Sequence, residues 1–566
     1  MTTDATTTQK PPRITRTDFV PHLRGYVGDH LVVDTSAAVV VSEPRKAVGF
    51  FAVPKGDVHQ EFLSQASETP RLHPGANQYF DLQTDNDVRP LAAWSYEIDG
   101  LAGYLGLRFD AFDKFLEEDE EVHVHPRDSR HRVDAIRSSR RVVVRYQGEI
   151  LADSHSPVAL FEGGLPIRWY LPEADIRLDK LVKVSLHTGC PYKGTASYYS
   201  PTDDPDKQIA WYYPQPNDAV AAIAGHVAFF NELVDIEVDG KPQGNPLTQW
   251  SYGLRDNVRG GGSGKFQATD SSHDHPNQTQ EDTMSATVIN LDAIGALSRR
   301  HPVPPGEFTY EYSERHVRGL IGDTAVVDSY SPLLVWEPGH AVPGYVYARE
   351  DVRADLLRPN TAKINTKHTQ VGERYDIEVD GKTYQGAAFT FDVDGLRDRI
   401  GFEWSRRDGL PVVEHWYEED EEVFVHPRDP YKRVDPIKSS RHVEVYLDGI
   451  KIADTHNPVL LFETRLPIRY YIPEADYDFT HLTPTELSTR CPYKGLASYW
   501  SVTTDKGTYD NIIWSYRDPV KAASNITGLL APYNELVDII VDGVALDRPQ
   551  SEFTEHVKHL VPKAKK

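Results

Sequence analysis

The sequence has little cysteine and methionine and no long apolar run. Its 566 residues include two Cys and two Met. Cys190 and Cys491 are too far apart in the chain to suggest the disulfide framework of a small secreted domain. The Thr-rich start, residues 1–12, lacks the apolar core of a signal peptide, and no apolar run approaches the ~20 residues that a membrane helix needs. We therefore expect a cytoplasmic protein with no membrane partner.

Positive charge is also scarce. Lys and Arg number 61 against 85 Asp and Glu, which gives a formal net charge of −24. Such a chain repels phosphate backbones and anionic lipids, so nucleic acid is not an expected partner. The hydrophobic content of 39% still permits buried cores. At roughly 150 residues per domain, the length predicts about four domains.

A long repeat divides the chain into two halves. The segment EEDEEVHVHPRDSRHRVDAIRSSR at 117–140 returns as EEDEEVFVHPRDPYKRVDPIKSSR at 418–441. The match continues through LPIRWYLPEAD and LPIRYYIPEAD to GCPYKGTASYYS and RCPYKGLASYWS. Similarity of this length indicates an internal duplication.

A weaker repeat lies inside each half. The segment at 318–338 aligns without gaps on the segment at 444–464, and the first half offers the same alignment. The superposed pairs are Asp328 with Asp454, Pro332 with Pro458, Glu337 with Glu463, Tyr345 with Tyr471, Asp34 with Asp153 and Glu43 with Glu162. We therefore predict four related units, A1, B1, A2 and B2, of which the A units are diverged copies.

The predicted boundaries follow from these alignments and from composition. A Gly-, Ser- and Asn-rich stretch at 260–282 indicates a flexible linker. The predicted segments are a disordered N-terminus 1–17, A1 18–125, B1 138–245, a linker 251–300, A2 305–430, B2 439–548 and a basic tail 551–566.

Local patterns favour antiparallel β-structure with little helix. Alternating apolar residues flank Asp448-Gly449, a type I′ hairpin signal. Similar turns are predicted at Asp239-Gly240, Asp380-Gly381, Asp394-Gly395 and Asp542-Gly543. Two helices are predicted, at 218–230 and 519–533, where Ala, Val and Ile recur at helical spacing.

The B units carry a specific pattern: A-D-[ST], FE, P-I-R-x-Y-x-x-P-E-A-D, CPYKG-x-A-S-Y and W-x-Y. This pattern resembles domain-of-unknown-function family 427, over about 140–240 and 441–543 and more weakly in the A units. The resemblance implies tandem β-tent-like domains, two preserved and two diverged, each with two antiparallel sheets and a pocket between them.

Family-related chemistry finds little support in the residues. Related tent folds often hold zinc through paired CxxC motifs, but each B unit has one Cys, so we expect no metal and no cofactor. The family is sometimes labelled nucleotidyltransferase-like. Neither a Gly-Ser motif with paired aspartates nor a phosphate-binding glycine loop supports that label. The triad His123, His125 and His131 is not retained in the second half.

Each B unit has one cysteine three residues before a lysine. The pairs are Cys190 with Lys193 and Cys491 with Lys494. A neighbouring ammonium can lower a thiol pKa and activate a nucleophile. The alternative is an inert thiol within a packed β-domain.

Glu162 and Glu463 end strongly apolar segments, VALFE and VLLFE. Burial can raise a carboxyl pKa and create a general acid or base. The alternative is a structural ion pair with Arg168 or Arg469. Either arginine could instead bind a substrate carboxylate or phosphate.

Aromatic residues recur at equivalent positions and could line a ligand pocket or fill a core. They are Tyr170, Tyr192, Tyr198, Trp211 and Tyr213, repeated as Tyr471, Tyr493, Tyr499, Trp514 and Tyr516. Asn231-Glu232 is predicted to cap a helix. The acidic runs 117–121 and 418–422 are predicted to be solvated connectors.

Two function classes stay open. The first is a binder of a small polar or aromatic molecule in the B-unit pockets, or a non-redox enzyme of transferase or hydrolase type. Its candidate residues are the Glu, Cys and Lys residues above, with the arginines and aromatics as ligand contacts. The second is a non-catalytic scaffold with the aromatics as core. Neither the ligand nor the oligomeric state can be read from the sequence.

Overall fold

The computed structural model describes most of the chain. The described residues are 13–18, 21–43, 48–70, 72–85, 87–128, 131–162, 165–246, 287–290, 308–338, 340, 342–362, 366, 368–404, 412–464, 466–551 and 553–562. The Gly- and Ser-rich stretch at 260–282 lies outside them. Two described strands fall within predicted irregular segments: residues 13–18 and 287–290 pair with each other in parallel.

The strands fall into four sets of eleven within the described residues, with one strand between the second and third sets. A1 contains β1 (Arg13–Asp18), β2 (Leu23–Val27), β3 (His30–Thr35), β4 (Val39–Ser42), β5 (Phe50–Pro54), β6 (Leu63–Gln65), β7 (Ala76–Gln83), β8 (Val88–Tyr96), β9 (Tyr104–Leu107), β10 (Lys114–Glu117) and β11 (Glu120–Val122). B1 contains β12 (Val133–Arg137), β13 (Val142–Tyr146), β14 (Glu149–Ser154), β15 (Val158–Glu162), β16 (Arg168–Pro172), β17 (Leu181–Cys190), β18 (Gly194–Pro201), β19 (Ala210–Tyr212), β20 (His226–Phe229), β21 (Asp235–Val238) and β22 (Lys241–Pro242). The intervening strand is β23 (Thr287–Asn290).

The second half repeats this series. A2 contains β24 (Thr309–Tyr312), β25 (Val317–Ile321), β26 (Thr324–Ser329), β27 (Leu333–Trp336), β28 (Gly344–Ala348), β29 (Leu357–Pro359), β30 (Val371–Val379), β31 (Lys382–Phe391), β32 (Arg399–Phe402), β33 (His415–Glu418) and β34 (Glu421–Val423). B2 contains β35 (Val434–Lys438), β36 (Val443–Leu447), β37 (Ile450–Thr455), β38 (Val459–Glu463), β39 (Arg469–Tyr471), β40 (Leu482–Cys491), β41 (Gly495–Thr504), β42 (Gly507–Pro519), β43 (Leu530–Pro532), β44 (Asp538–Val541) and β45 (Val544–Ala545).

Each unit consists of a large and a small antiparallel sheet. In B1 the large sheet has the order β12-β15-β16-β20-β19-β18-β17, and the small sheet has the order β14-β13-β21-β22. A2 repeats this arrangement strand for strand, and A1 does so with β23 added at one edge. In B2 the large sheet is divided into β35-β38-β39 and β40-β41-β42-β43, joined through Ile472 and Leu530. Strand content of about 53% and helix content of 9% confirm the mainly β prediction.

The helices are short. Among the described residues, the 3-10 helices are Lys55–Asp57, Gln60–Phe62, Phe109–Ala111, Glu173–Asp175, Leu178–Lys180, Asp218–Ile223, Arg349–Asp351, Ala354–Leu356, Glu474–Asp476 and Lys521–Ile526, and an α-helix spans Thr554–Val557. Within the residues that the structure describes, none of these helices has the length or apolar character needed to cross a bilayer.

The predicted helices at 218–230 and 519–533 are wrong. Each contains a six-residue 3-10 helix followed by a strand of the large sheet, β20 or β43. Gly225 and Gly528 lie between helix and strand with φ of 70° and 72°. Left-handed glycines end a helical turn, and pairing with β16 or β42 determines the structure of the residues that follow.

Both faces of the large sheet in B1 are covered. Trp169 and Leu171 pack in the inner core with residues of the small sheet, such as Val144. Tyr170, between them, belongs to a second cluster on the outer face, together with Val220 of the 3-10 helix. Alternate residues of a strand point to opposite faces. The second cluster, which we call the outer aromatic face, holds the predicted site residues.

One predicted superposition is displaced by a residue. Val459 pairs with Tyr471 in B2, but its counterpart Leu333 pairs with Val346. Tyr345 therefore corresponds to Tyr470 rather than Tyr471. A shift of one residue reverses the face of the sheet, and Tyr345 belongs to the inner core of A2.

The acidic runs form β-hairpins whose first two glutamates are buried, whereas the other three residues of each run are partly or fully exposed, so the predicted solvated connectors are only partly correct. Glu118 and Glu419 lie at the tips of β10-β11 and β33-β34 and are 2% and 1% exposed. Each accepts a hydrogen bond from a serine of the other half: Ser439 Oγ donates to Glu118 at 2.9 Å, and Ser138 Oγ donates to Glu419 at 2.7 Å. Contact between the halves therefore explains why these two glutamates are buried.

Candidate functional site

A buried glutamate follows or ends the same strand in all four units. The four are Glu43 after β4, Glu162 at the end of β15, Glu337 after β27 and Glu463 at the end of β38. Their side chains are 0 to 8% exposed. A buried carboxylate requires a partner, and the partner differs between the A and B units.

In the B units the partner is a lysine. Lys193 Nζ lies 2.6 Å from Glu162, and Lys494 Nζ lies 2.5 Å from Glu463. A second basic residue adds to each pair: His131 Nε2 is 2.9 Å from Glu162, and Lys432 Nζ is 2.9 Å from Glu463. The structural pair predicted with Arg168 or Arg469 is therefore wrong, since lysine replaces arginine.

These contacts determine the ionisation of both glutamates. Burial alone would raise the pKa of Glu162, but the Lys193 ammonium and the His131 ring lower it to about 2. Lys494 and Lys432 lower the pKa of Glu463 to about 2 in the same way. A carboxylate with so low a pKa is a weak base at neutral pH, so the arrangement favours charge pairing over proton transfer.

Arg168 and Arg469 are held by other carboxylates. Arg168 forms a two-pronged ion pair with Glu232 at 2.7 and 2.8 Å, and Arg469 forms one with Glu535 at 2.7 and 2.9 Å. Asn231 also accepts a bond from Arg168, so Asn231-Glu232 binds a guanidinium instead of capping a helix. Bidentate pairing occupies the donors that an anionic ligand would need.

The two cysteines are free and half-buried. Each packs at the edge of the aromatic cluster of its unit. Cys190 also contributes to the electrostatic surroundings of Lys193, where it and Glu162 outweigh burial and raise the pKa of the lysine. The structure thus brings Cys190, Lys193 and Glu162 together, with the ammonium bonded to the carboxylate.

The predicted aromatic residues form the outer aromatic face. Trp211 Nε1 donates to the Tyr170 hydroxyl at 2.9 Å, as Trp514 does to Tyr471. The hydroxyls of the next two tyrosines have protein partners in both halves: Tyr192 and Tyr493 accept from the main-chain N–H of Asp128 and Asp429, and Tyr198 and Tyr499 bond to the hydroxyls of Thr188 and Thr489. Tyr213 and Tyr516 are 5 and 6% exposed. These contacts match the alternative of a packed core.

The A units use histidine in place of lysine, and the sequence analysis missed this. His73 Nδ1 lies 3.0 Å from Glu43, and His368 Nδ1 lies 2.5 Å from Glu337. Spacing was the available signal, because the basic residue follows its glutamate by 30 residues in A1 and by 31 in the other units.

An open cavity of about 330 Å³ lies between B1 and A2. We call it the junction cavity. Its walls include Glu162 and Phe161 from B1, Glu314 and Tyr312 from A2, and Tyr431 from the segment before B2. Sequence reasoning missed this site because its walls come from segments that are far apart in the chain.

The four units correspond to four matches of one family model. The model described as Domain of unknown function (DUF427) matches residues 16–113, 134–240, 309–409 and 435–543. The chain belongs to the DUF427 family. Each DUF427 copy contains one of the four buried glutamates and its basic partner. Among curated proteins, none matches the chain.

Residues outside the DUF427 copies complete the contacts between them. The tips of the acidic hairpins, Glu118 and Glu419, fall between matches. So do Arg428 and Tyr431, which line the junction cavity. The cavity therefore depends on the tandem arrangement and cannot be assigned to a single DUF427 copy.

Proposed function

We propose that this protein binds a small polar or aromatic molecule, and that the ligand occupies the junction cavity. The cavity itself is the observation that supports this proposal. Its volume of about 330 Å³ falls within the usual range for small-molecule sites, and it combines aromatic walls with a few polar groups. Free thiols at Cys190 and Cys491 are usual in a reducing compartment and support a cytoplasmic location.

The charges around the cavity favour a ligand with a cationic or hydrogen-bond-donating group. The three guanidinium groups of the wall have carboxylate partners: Arg132 and Arg315 bond to Asp134, and Arg428 bonds to Glu421. Glu314 lies at the rim of the cavity, where part of its side chain is exposed to solvent. Partial burial raises the pKa of its carboxyl group, and no cation among the described groups lowers it. An amine beside Glu314 would supply that opposing charge.

The apolar walls favour an aromatic or otherwise flat body for the ligand. Phe161 and Leu165 contribute to the wall from B1, and Tyr431 contributes to it from the segment before B2. The Tyr431 hydroxyl donates to Glu311 at 2.7 Å, which fixes the ring. A fixed aromatic wall lowers the entropy cost of binding a planar molecule. Binding, rather than transferase or hydrolase chemistry, is the activity we assign, because Glu162 and Lys193 are bonded to each other.

The ligand chemistry can be tested with two probes that share a ring. Isothermal titration of the full chain would compare tyramine, an amine, with 3-(4-hydroxyphenyl)propionate, a carboxylate. We expect tyramine to bind at least tenfold more tightly, and Glu314→Gln to remove most of that preference. Equal affinity for both probes, or a preference for the carboxylate, would contradict the role of Glu314.

The location of the ligand can be tested by filling the cavity. Leu165→Trp places a large ring in the junction cavity. Its matched control is Leu466→Trp, because Leu466 is the equivalent residue of B2 and does not line this cavity. We expect Leu165→Trp to abolish tyramine binding and Leu466→Trp to preserve it. Equal binding by both variants would place the ligand elsewhere.

A non-catalytic scaffold is the second candidate function. The contacts between the halves support it, because serines, arginines and acidic hairpins of the two halves bond to one another. Paired polar groups on the outer aromatic faces also suit a structural role. If neither probe binds and native mass spectrometry of freshly purified protein shows no retained small molecule, the scaffold function is favoured.

A further inference from the structure

The buried glutamate of A1 is saturated by protein groups. Glu43 bonds to His73 and accepts a hydrogen bond from the Tyr96 hydroxyl at 2.9 Å. Trp94 Nε1 donates to the same hydroxyl at 2.7 Å, and the Trp94 ring stacks on His73 with centroids 3.6 Å apart. This arrangement leaves little room for a ligand at Glu43.

A2 lacks the two aromatic donors at the equivalent place. Trp94 pairs with Gly106, and Phe389 pairs with Gly401, so the strand registers make Phe389 the counterpart of Trp94 and Phe391 the counterpart of Tyr96. Neither phenylalanine can donate a hydrogen bond. The carboxylate of Glu337 therefore loses the tyrosine donor that its counterpart has in A1.

Glu337 has other partners in A2: the Thr369 main-chain N–H donates to one carboxylate oxygen at 3.0 Å, and a second histidine approaches the same oxygen. His340 Nε2 lies 3.9 Å from one carboxylate oxygen of Glu337, and His368 Nδ1 lies 2.5 Å from the other. One ligand atom from each of the three residues lies within 4.8 Å of the other two. The rings of His340 and His368 are nearly parallel, with centroids 5.9 Å apart.

A further carboxylate lies behind His368 at ion-pair distance, without the geometry of a hydrogen bond. Glu403 lies 3.3 Å from His368 Nε2, the ring nitrogen that faces away from Glu337. Glu403 is itself held by the Thr366 hydroxyl at 2.8 Å and lies 3.6 Å from Arg374. Histidines that bind metals commonly donate their second N–H to such a carboxylate, which fixes the tautomer and the ring.

We propose that Glu337, His340 and His368 bind a divalent transition-metal ion such as Zn²⁺, with Glu403 as the residue that positions His368. Two imidazoles and one carboxylate are a ligand set that zinc accepts, and three protein ligands leave a fourth position for water or another small ligand. With bonds of about 2.0 to 2.2 Å, tetrahedral ligand atoms lie about 3.3 to 3.6 Å apart. The separations at Glu337, 3.9 Å from His340 to one oxygen and 2.5 Å from His368 to the other, each differ from that range by about 1 Å or less.

This metal site is independent of the junction cavity. Its three ligand residues and Glu403 are absent from the described lining of that cavity. Leu334 of β27 lines the junction cavity and belongs to the inner core, whereas Leu333 and Val335 belong with Phe389 and Phe391 to the outer cluster. Failure of ligand binding would therefore leave the metal proposal standing, and the reverse also holds.

The test uses cobalt as a spectroscopic probe and zinc for stoichiometry. The untagged full chain is stripped with a chelator, exchanged into clean buffer and titrated with Co²⁺, and Zn²⁺ content is measured separately by elemental analysis after dialysis. We expect one metal ion per chain and visible absorption typical of low-coordinate Co²⁺. His340→Ala should abolish both signals, and Glu403→Gln should weaken binding about 10- to 100-fold.

Two controls distinguish this site from other histidines. His73→Ala removes the counterpart of His368 in A1, and His442→Ala disrupts the cluster of His442, Glu444 and Asp454. Both should keep one metal ion per chain. The proposal is overturned if the unaltered chain binds no metal, if His340→Ala retains it while folded by circular dichroism, or if either control loses it. If His340→Ala does not fold, Glu403→Gln serves as the test variant. An unchanged metal affinity in Glu403→Gln would also overturn the proposal.

Discussion

Arg132 and Arg433 each donate a hydrogen bond to the other half of the chain. Arg132 Nη1 bonds to the carbonyl oxygen of Lys432 at 3.2 Å, and Arg433 Nη1 bonds to the carbonyl oxygen of His131 at 3.1 Å. The guanidinium groups also cross over tyrosine rings, Arg132 over Tyr493 and Arg433 over Tyr192. The two arginines are equivalent in the repeat, so the contact is reciprocal.

Loss of these two arginines should have unequal effects. Arg433 pairs with Asp435, and Arg132 pairs with Asp134, but Asp134 is also bound by Arg315. The strand registers make Pro21 the counterpart of Arg315. Proline has no charged group, so it cannot bind Asp435 as Arg315 binds Asp134. We expect Arg433→Ala to lower the free energy of unfolding by about 3 kcal/mol and Arg132→Ala by about half as much. Urea unfolding measures both, and a larger loss for Arg132→Ala would contradict the explanation.

Lys193→Met should leave the buried Glu162 with His131 as its remaining side-chain partner. We expect a loss of about 3 kcal/mol in the free energy of unfolding, because a buried carboxylate keeps its desolvation cost. The double variant Glu162→Gln with Lys193→Met removes both charges and should recover most of the loss. A double-mutant cycle by urea unfolding gives the coupling, and additive losses would show that the pair is not coupled.

Acid should weaken the B units through Glu162 and Glu463. Their pKa values of about 2 lie below the ordinary 4.5, so their stabilising contribution is complete above pH 4.5 and is lost as pH falls toward 2. The expected loss is about 3 kcal/mol per site. The difference in unfolding free energy between the wild type and Glu162→Gln, measured at pH 6 and pH 3, should shrink on acidification. A constant difference would contradict the lowered pKa.

Glu117 should respond to pH in the opposite direction. Burial raises its pKa to about 7 despite the nearby Arg127, and one carboxylate oxygen has no hydrogen-bond partner among the described residues. A raised pKa contributes stability that is complete below pH 4.5 and is lost as pH rises through 7. Glu117→Gln should therefore be up to about 3 kcal/mol more stable than the wild type at pH 8 and similar to it at pH 4.5.

Glu418 is the matched control for Glu117. It occupies the equivalent hairpin position, but Arg315 and the Tyr345 hydroxyl bind its carboxylate. Glu418→Gln should destabilise the protein at pH 8, because it weakens these charge-assisted bonds. Thermal unfolding of both variants at pH 8 checks the contrast, and shifts of the same sign would refute it.

Local sequence signals predicted much of the fold. The Asp-Gly turns at 239, 380, 448 and 542 all have positive φ at both residues, because the type I′ turn needs that geometry. Asp394-Gly395 differs: Gly395 alone has positive φ within a longer turn between β31 and β32. The sequence alignment of the four glutamates was also confirmed, because all four end or follow equivalent strands.

The partners of those residues could not be predicted, because sheet pairing decides them. Lys193, in the turn between β17 and β18, bonds to Glu162 from 31 residues away in the sequence, while Arg168 lies nearer in sequence but bonds to Glu232. The junction cavity and the buried glutamates of the acidic hairpins depend on contact between units, which the sequence of one unit does not contain. The helix-like spacing of apolar residues at 218–230 comes from a 3-10 helix followed by a buried strand, not from an α-helix.

The reciprocal contacts give the duplication a geometric meaning. The acidic hairpin of each half meets the serines of the other, so one half by itself would carry both members of a self-complementary surface, as the protomer of a two-fold dimer does. Joining two such protomers in one chain makes their association intramolecular and independent of protein concentration. Fusion also allows the two halves to differ in sequence, whereas the subunits of a homodimer are identical. Arg315 in place of Pro21 and Phe391 in place of Tyr96 are differences of this kind.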